Sequence, residues 1–390
     1  MAFIIEQLEV VLLVTAIVGL LARRLHIPTT VGLVLAGICL ALVPGTITIT
    51  LTKELIFDAF LPPLVFEASL YIDWRELRKD LPVILTLATV GVFLTAAVAT
   101  GGMHYFAGWS WEGAALFGVL IAATDPVSVI ATLKEARIHG RLRLLLESES
   151  LLNDGIAAVA FTAMLISLTG EKLTAAGIAW AFIGGIAGGI LCGAAVTWFV
   201  LLLAGQTTDH LTEITLTTVA AYGSFLLADR LHFSGVFASL TAGLMVGNAG
   251  FLWSIYSREA VESFWEYAAF VANAFIFVLI GIRTGEQHFA GVAALVPVAV
   301  TITMLARAVA IYPCCALFAG SRFRVEPRHQ HVLFWAGLRG ALALALALGL
   351  PPALPYREEI ITTAFIIVAF SIFAQGLTMP LLLRKLGEVP

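Results

Sequence analysis

Leu146-Glu147-Ser148-Glu149-Ser150-Leu151-Leu152-Asn153-Asp154-Gly155 places three carboxylates, two hydroxyls and an amide inside a run that is otherwise largely apolar from residue 144 to 168. At 100° per residue on a helix, Glu149, Asn153, Ser150 and Asp154 fall at about 0°, 40°, 100° and 140°. Leu151 and Leu152 turn away. The chain around this stretch has 390 residues, of which 60% are hydrophobic and only 12% are Asp, Glu, Lys or Arg. A water-soluble domain carries roughly 25% charged residues. The mean hydropathy of +0.98 agrees with a membrane setting. About thirteen spanning helices of some 20 residues would use roughly 260 residues and leave no room for a large extramembrane domain. The fold class is therefore an all-α polytopic membrane protein.

The apolar runs divide into segments near 3–22, 28–43, 54–71, 81–105, 111–133, 144–168, 174–204, 211–229, 234–248, 259–282, 288–319, 330–350 and 358–383. The first lacks a basic leader and a small-residue cleavage site, so it reads as a spanning helix and not a removed signal. Alternate connections hold fifteen and five of the 22 basic residues. That asymmetry places the basic loops and the C-terminus in the cytoplasm and the N-terminus outside. A net charge of −4 excludes a nucleic-acid footprint. The four cysteines, Cys39, Cys192, Cys314 and Cys315, have no metal-ligand spacing and read as small packing residues.

Two basic residues, Arg307 and Arg339, remain within the membrane, with Asp58, Glu67, Asp125, Glu147, Glu149 and Asp154. A charge near the bilayer centre costs at least ~2.5 kcal/mol, so each needs a partner or a task. Counting about 1.5 Å per residue from the nearest cytoplasmic basic residue puts Glu67, Asp125, Asp154 and Arg339 roughly 12–16 Å deep. That is near the midplane, and it implies a site. Hard monovalent cations take several oxygen ligands, which the Glu149–Asp154 face offers. The plainer alternative is a polar seam between helices.

In the fifth segment, Ala123-Thr124-Asp125-Pro126 interrupts an apolar helix. Pro126 cannot donate to the Ala122 carbonyl and drives Asp125 from helical geometry. Gly337-Leu338-Arg339-Gly340 interrupts the twelfth segment in a matching position. The two segments run in opposite directions, as inverted six-helix repeats with discontinuous helices crossing at mid-membrane require.

Taken together, Thr124-Asp125-Pro126, Glu149-Ser150-Leu-Leu-Asn153-Asp154, Gly337-Leu-Arg339-Gly340 and Leu61-Pro-Pro-Leu-Val-Phe-Glu67 resemble the signature set of the cation/proton antiporters of the NhaP and sodium/hydrogen exchanger type. The resemblance covers essentially the whole chain. It implies a non-enzymatic antiporter in a prokaryotic inner membrane, without cofactor, exchanging Na+ (or Li+ or K+) for H+. It implies a homodimer in membrane lipid with no soluble protein partner and no cytoplasmic regulatory domain. A dimer domain (about 1–80 and 205–285), a linker helix (about 174–204) and an ion-transport core (about 81–170 and 286–385) follow from it.

Carried over by motif, Asp154 takes either cation or proton, and Asp125, Ser150 and the Thr124 backbone are further Na+ ligands. Glu67 reaches the cation through water, and Asn153 ties the site to Thr124. Glu149 is expected to pair with Arg339, and Arg307 to stabilise the helix crossing. A carboxylate drawn out of water disfavours its bare charged form, so a proton or a cation must neutralise it. Asn153 in place of a second aspartate implies electroneutral exchange. A cation channel and an intramembrane aspartyl protease are the alternatives. A channel conducts without an obligatory proton. The protease conflicts with the buried Arg339 and Glu149 and with the absence of Gly-x-Gly-Asp at Asp154.

Overall fold

The computed structural model describes residues 2–25, 27–42, 51–125, 130, 140–168, 175–286 and 292–388. The described residues are helical throughout, with short connections. Helix α1 is Ala2–Leu25, α2 Thr29–Ala41, and α3 Leu61–Leu70 preceded by a wide π turn, Leu55–Phe60. Helix α4 is Trp74–Ala107, α5 Trp111–Leu120, α6 Arg141–Leu168 and α7 Ala175–Ala204. Then come α8, His210–Arg230, α9, Gly235–Gly250, and α10, Arg258–Glu286. Helix α11 is Val296–Ala316, α12 Pro327–Trp335, α13 Ala341–Leu348 and α14 Arg357–Lys385. Among the described residues, seven helices are long and apolar enough to cross a membrane, and α2, α5 and α9 are shorter apolar helices.

Side chains at the connections set where helices start. Ser110 accepts from the Gly113 amide, Asp209 from Thr212 and Ser234 from Phe237, so each relieves an orphan donor of the first turn. The fourth segment departs from expectation, because α4 begins at Trp74 and not at residue 81. Asp73 caps it through the amides of Arg75 and Glu76, which carries the helix into the basic stretch that reads as a loop. Asp80, on this extra length, makes a two-pronged ion pair with Arg141 at the start of α6. Arg141 also donates to the carbonyls of Arg324 and Phe323, so one guanidinium ties α4, α6 and the loop before α12 together.

The helices form two bundles. Helix α10 lies along α2 and α3, and α9 lies along α3 and α7. In the other bundle α4 lies along α5, α6 and α11, while α13 rests on α14 and α5. Small residues permit the closest approaches, as expected where lipid gives helices little hydrophobic drive to associate. At the α2–α10 crossing a Cβ on Gly37 would sit 2.2 Å from the Val278 carbonyl oxygen, and one on Gly281 2.2 Å from that of Val34. The obstacles are backbone and cannot move aside. Gly281→Ala should therefore destabilise the protein by about 1–3 kcal/mol, the usual cost of overpacking. Thermal unfolding in detergent will report it, and an unchanged midpoint contradicts this account of the crossing.

Candidate functional site

Helix α5 ends at Leu120, and its chain continues through a turn at Ile121–Ala122 into non-helical residues up to Asp125. Pro126, the expected cause of the break, lies outside the described residues. Helix α12 ends at Trp335, and the backbone from Gly337 to Gly340 is non-helical before α13 begins. The two unwound stretches meet. The Asp125 amide donates to the Leu338 carbonyl at 2.7 Å, a backbone hydrogen bond between two interrupted helices. Arg339 lies across the junction, and its Nη1 donates to the carbonyls of Ala122 and Ala123, each at 3.1 Å. The carbonyl that the sequence marks as orphaned by Pro126 is therefore one that a guanidinium takes up.

Both glycines of the second break make room for a charged side chain. A Cβ on Gly337 would lie 2.6 Å from Arg307 Nε, and one on Gly340 would lie 2.2 Å from Asp125 Oδ2. A wide π turn in α14, Ser371–Gly376, supplies the remaining partners. Ser371 Oγ accepts from the Arg339 amide at 3.0 Å, and Gln375 donates to the Trp335 carbonyl at 3.1 Å. These two residues escape a reading by sequence motif. The signal available was a hydroxyl and an amide in an otherwise apolar segment.

The face of α6 predicted from its spacing is assembled as expected at Asn153. Its Oδ1 accepts from the Thr124 amide at 3.1 Å, and its Nδ2 donates to Thr124 Oγ1 at 2.7 Å. Ser150 donates its hydroxyl to the Thr124 carbonyl. Thr124, Glu149, Ser150 and Asn153 are each buried. Asp154 Oδ1 is also buried and accepts no hydrogen bond among the described residues.

The pairing of the charges differs from expectation. Glu149 binds Arg307 and not Arg339, through Nη1–Oε1 at 2.8 Å and Nη2–Oε2 at 3.3 Å. Arg307 reaches Glu149 from α11 and also donates to the Leu333 carbonyl in the last turn of α12 at 2.9 Å. Arg339 stands in the break itself, where its guanidinium donates to the carbonyls of Ala122 and Ala123. The two arginines thus divide the work: Arg307 neutralises the carboxylate and Arg339 holds the crossing.

A cavity of about 280 Å³ opens beside Asp154. Its walls include Asp125, Thr124, Ser150 and Asp154 on one side and Glu67 on α3 on the other. It therefore brings together the five residues predicted to hold cation and proton. Glu147, Arg143 and Tyr71 also line it, as do Glu266 and Asn273 from α10. Glu259, Glu262 and Glu266 open α10, and of the three Glu266 lines the cavity. The spacing of Glu266 and Asn273, two turns apart on one face, was the available clue. Asp58 is exposed and does not line this cavity.

Two interrupted helices joined through their unwound segments, beside a buried carboxylate and a cavity, define a secondary-transporter architecture. The chain belongs to the sodium/hydrogen exchanger family: residues 10–385 match the family described as "Sodium/hydrogen exchanger, transmembrane". It is a multi-pass membrane transporter and not an enzyme. The Na(+)/H(+) antiporter ApNhaP of Aphanothece halophytica is 36% identical over 99% of this chain and 75% of its own length. The Na(+)/H(+) antiporter NhaH of Halobacillus dabanensis is 29% identical over 98% of both. A solved structure of the sodium proton antiporter MjNhaP1 from Methanocaldococcus jannaschii shares the fold, with a TM-score of 0.82 at 20% identity over 100% of this chain and 99% of that one.

Removing one member of a buried pair costs about 3–5 kcal/mol, because the other charge is left uncompensated. Arg307→Gln should lose stability on that scale, and the double variant Arg307→Gln with Glu149→Gln should recover part of it. Thermal unfolding of the purified variants reports both, and a double variant as unstable as the single one contradicts the pairing. Gly340→Ala should abolish transport while the protein still inserts, because its methyl group displaces the Asp125 carboxylate. Transport by that variant in vesicles at the wild-type rate contradicts this placement.

Proposed function

We propose that this chain exchanges one Na+ for one H+ by alternating access, with both ions competing for Asp154. The carrying observation is Asp154 Oδ1, a buried acceptor with no hydrogen bond among the described residues. A buried oxygen without a donor is costly, and a proton or a cation relieves that cost equally well. The cation's other oxygens come from Asp125, Ser150 and Thr124, with Glu67 acting through water across the cavity. Li+ and K+ would use the same oxygens.

Charge counting supports the one-for-one ratio. At the helix junction itself, with Glu67 and Glu266 across the cavity, three carboxylates (Glu149, Asp125 and Asp154) face two guanidiniums (Arg307 and Arg339), which leaves one negative charge there. Asn153 adds none, since its amide is engaged with Thr124. One monovalent ion therefore discharges the site in either direction of travel, and the loaded site is neutral whichever ion it holds. Competition at a single carboxylate produces exchange without a separate coupling device.

The cavity lies between α3 and α10 on one side and α5, α6 and α13 on the other. That placement supports motion of a core, α4–α6 with α11–α14, against a body of α1–α3 with α8–α10, linked by α7. A homodimer built on that body is part of the proposal. The exposed apolar face of α1, with Leu13, Leu20 and Leu25, supports it. The basic connections support a cavity mouth that faces the cytoplasm in a bacterial inner membrane.

In proteoliposomes holding an internal pH dye, a Na+ gradient should drive proton flux that Asp154→Asn abolishes. Clamping the voltage with valinomycin should leave the flux unchanged. A flux that responds to the clamp contradicts the one-for-one ratio, and one that survives Asp154→Asn overturns the site and favours a channel.

A further inference from the structure

Arg143 and Glu147 line the same cavity as Asp154, and nothing in the exchange mechanism above uses them. Arg143 Nε meets Glu147 Oε1 at 2.7 Å, with side chains 19% and 11% exposed. On α6, Arg143, Glu147, Ser150 and Asp154 all fall within an arc of about 60°. The pair therefore lies on the ion-binding face itself, with Glu147 some 10 Å along the helix from Asp154. Glu67 and Glu266 line the cavity from α3 and α10.

The pair is poorly arranged as a helix staple. An acidic residue four positions before a basic one supports a helix better than the reverse order found here. A cation in the first turn also opposes the helix dipole. The structural work at this end of α6 is done by Arg141, which holds Asp80 and two backbone carbonyls. Arg143 spends its charge inside the cavity.

We infer that Glu147 is a staging site for the transported monovalent cation, and that Arg143 is a tethered competitor that sets its occupancy. The inference rests on the antiport reading and deepens it. An incoming cation displaces the guanidinium from Glu147 and then moves up the same helix face to Asp154. Without Arg143 the carboxylate stands open and concentrates cations beside the site. Without Glu147 the guanidinium stands unopposed and repels them. Arg143 is a positioning residue: it acts on the cation's approach and not on Asp154.

The test uses everted membrane vesicles, in which the cytoplasmic face is outward, with Na+-driven proton flux measured against Na+ concentration and the Asp154→Asn flux subtracted as leak. Arg143→Gln should lower KM for Na+ by about two- to fourfold with the maximal rate retained, the effect of one unit charge roughly 10 Å away in a watery cavity. Glu147→Gln should raise KM by a similar factor. The double variant should return toward wild type, and Arg143→Lys should match wild type. A structural role predicts loss of protein or of maximal rate, not KM shifts of opposite sign. Unshifted KM in Glu147→Gln, or shifts in the same direction for both single variants, overturns the inference. If Arg143→Gln does not reach the membrane, Glu147→Gln and Arg143→Lys decide alone. No Na+-driven flux in the wild type would overturn the antiport reading itself, whereas flux with unshifted KM overturns only the staging site.

Discussion

Two helices that stop inside a membrane leave amides and carbonyls out of reach of bulk water, and unpaired groups there cost several kcal/mol each. The pairing of those groups organises the rest of this molecule. The Asp125 amide takes the Leu338 carbonyl, Arg339 takes Ala122 and Ala123, and Ser371 and Gln375 take the Arg339 amide and the Trp335 carbonyl. Each partner comes from a different part of the chain. The breaks are therefore held by tertiary structure, and they bring Thr124 and Asp125 against α6 as a consequence of being satisfied.

The charges follow the same logic. Three carboxylates at the junction face two guanidiniums, so one negative charge is left over, and each guanidinium also serves a broken helix, Arg307 at Leu333 and Arg339 at Ala122 and Ala123. Partial neutralisation of the carboxylates and satisfaction of the broken backbone thus come from the same two side chains.

The face of α6 was legible because helical periodicity is exact enough to place Glu149, Ser150, Asn153 and Asp154 together, and nothing in the tertiary structure disturbs it. The interruption at Asp125 and its counterpart at Arg339 were legible from local backbone chemistry. The choice of arginine for Glu149 was not, because two buried basic residues at similar depth are equivalent until helix placement separates them. The start of α4 was missed for a different reason. Hydropathy marks where a chain enters lipid, whereas Asp73 marks where the helix begins.

The ion pair between Glu149 and Arg307 joins residues 158 positions apart. At about 5–20 residues per second of synthesis, roughly 8–30 s separate their emergence from the ribosome. For that interval α6 exists and α11 does not. Until then the Glu149 carboxylate has no arginine to pair with. The junction of broken helices cannot close until Arg307 arrives, and its own arginine, Arg339, follows later still. Closure of the junction is therefore a late event in biogenesis, and the first half of the chain waits for the second.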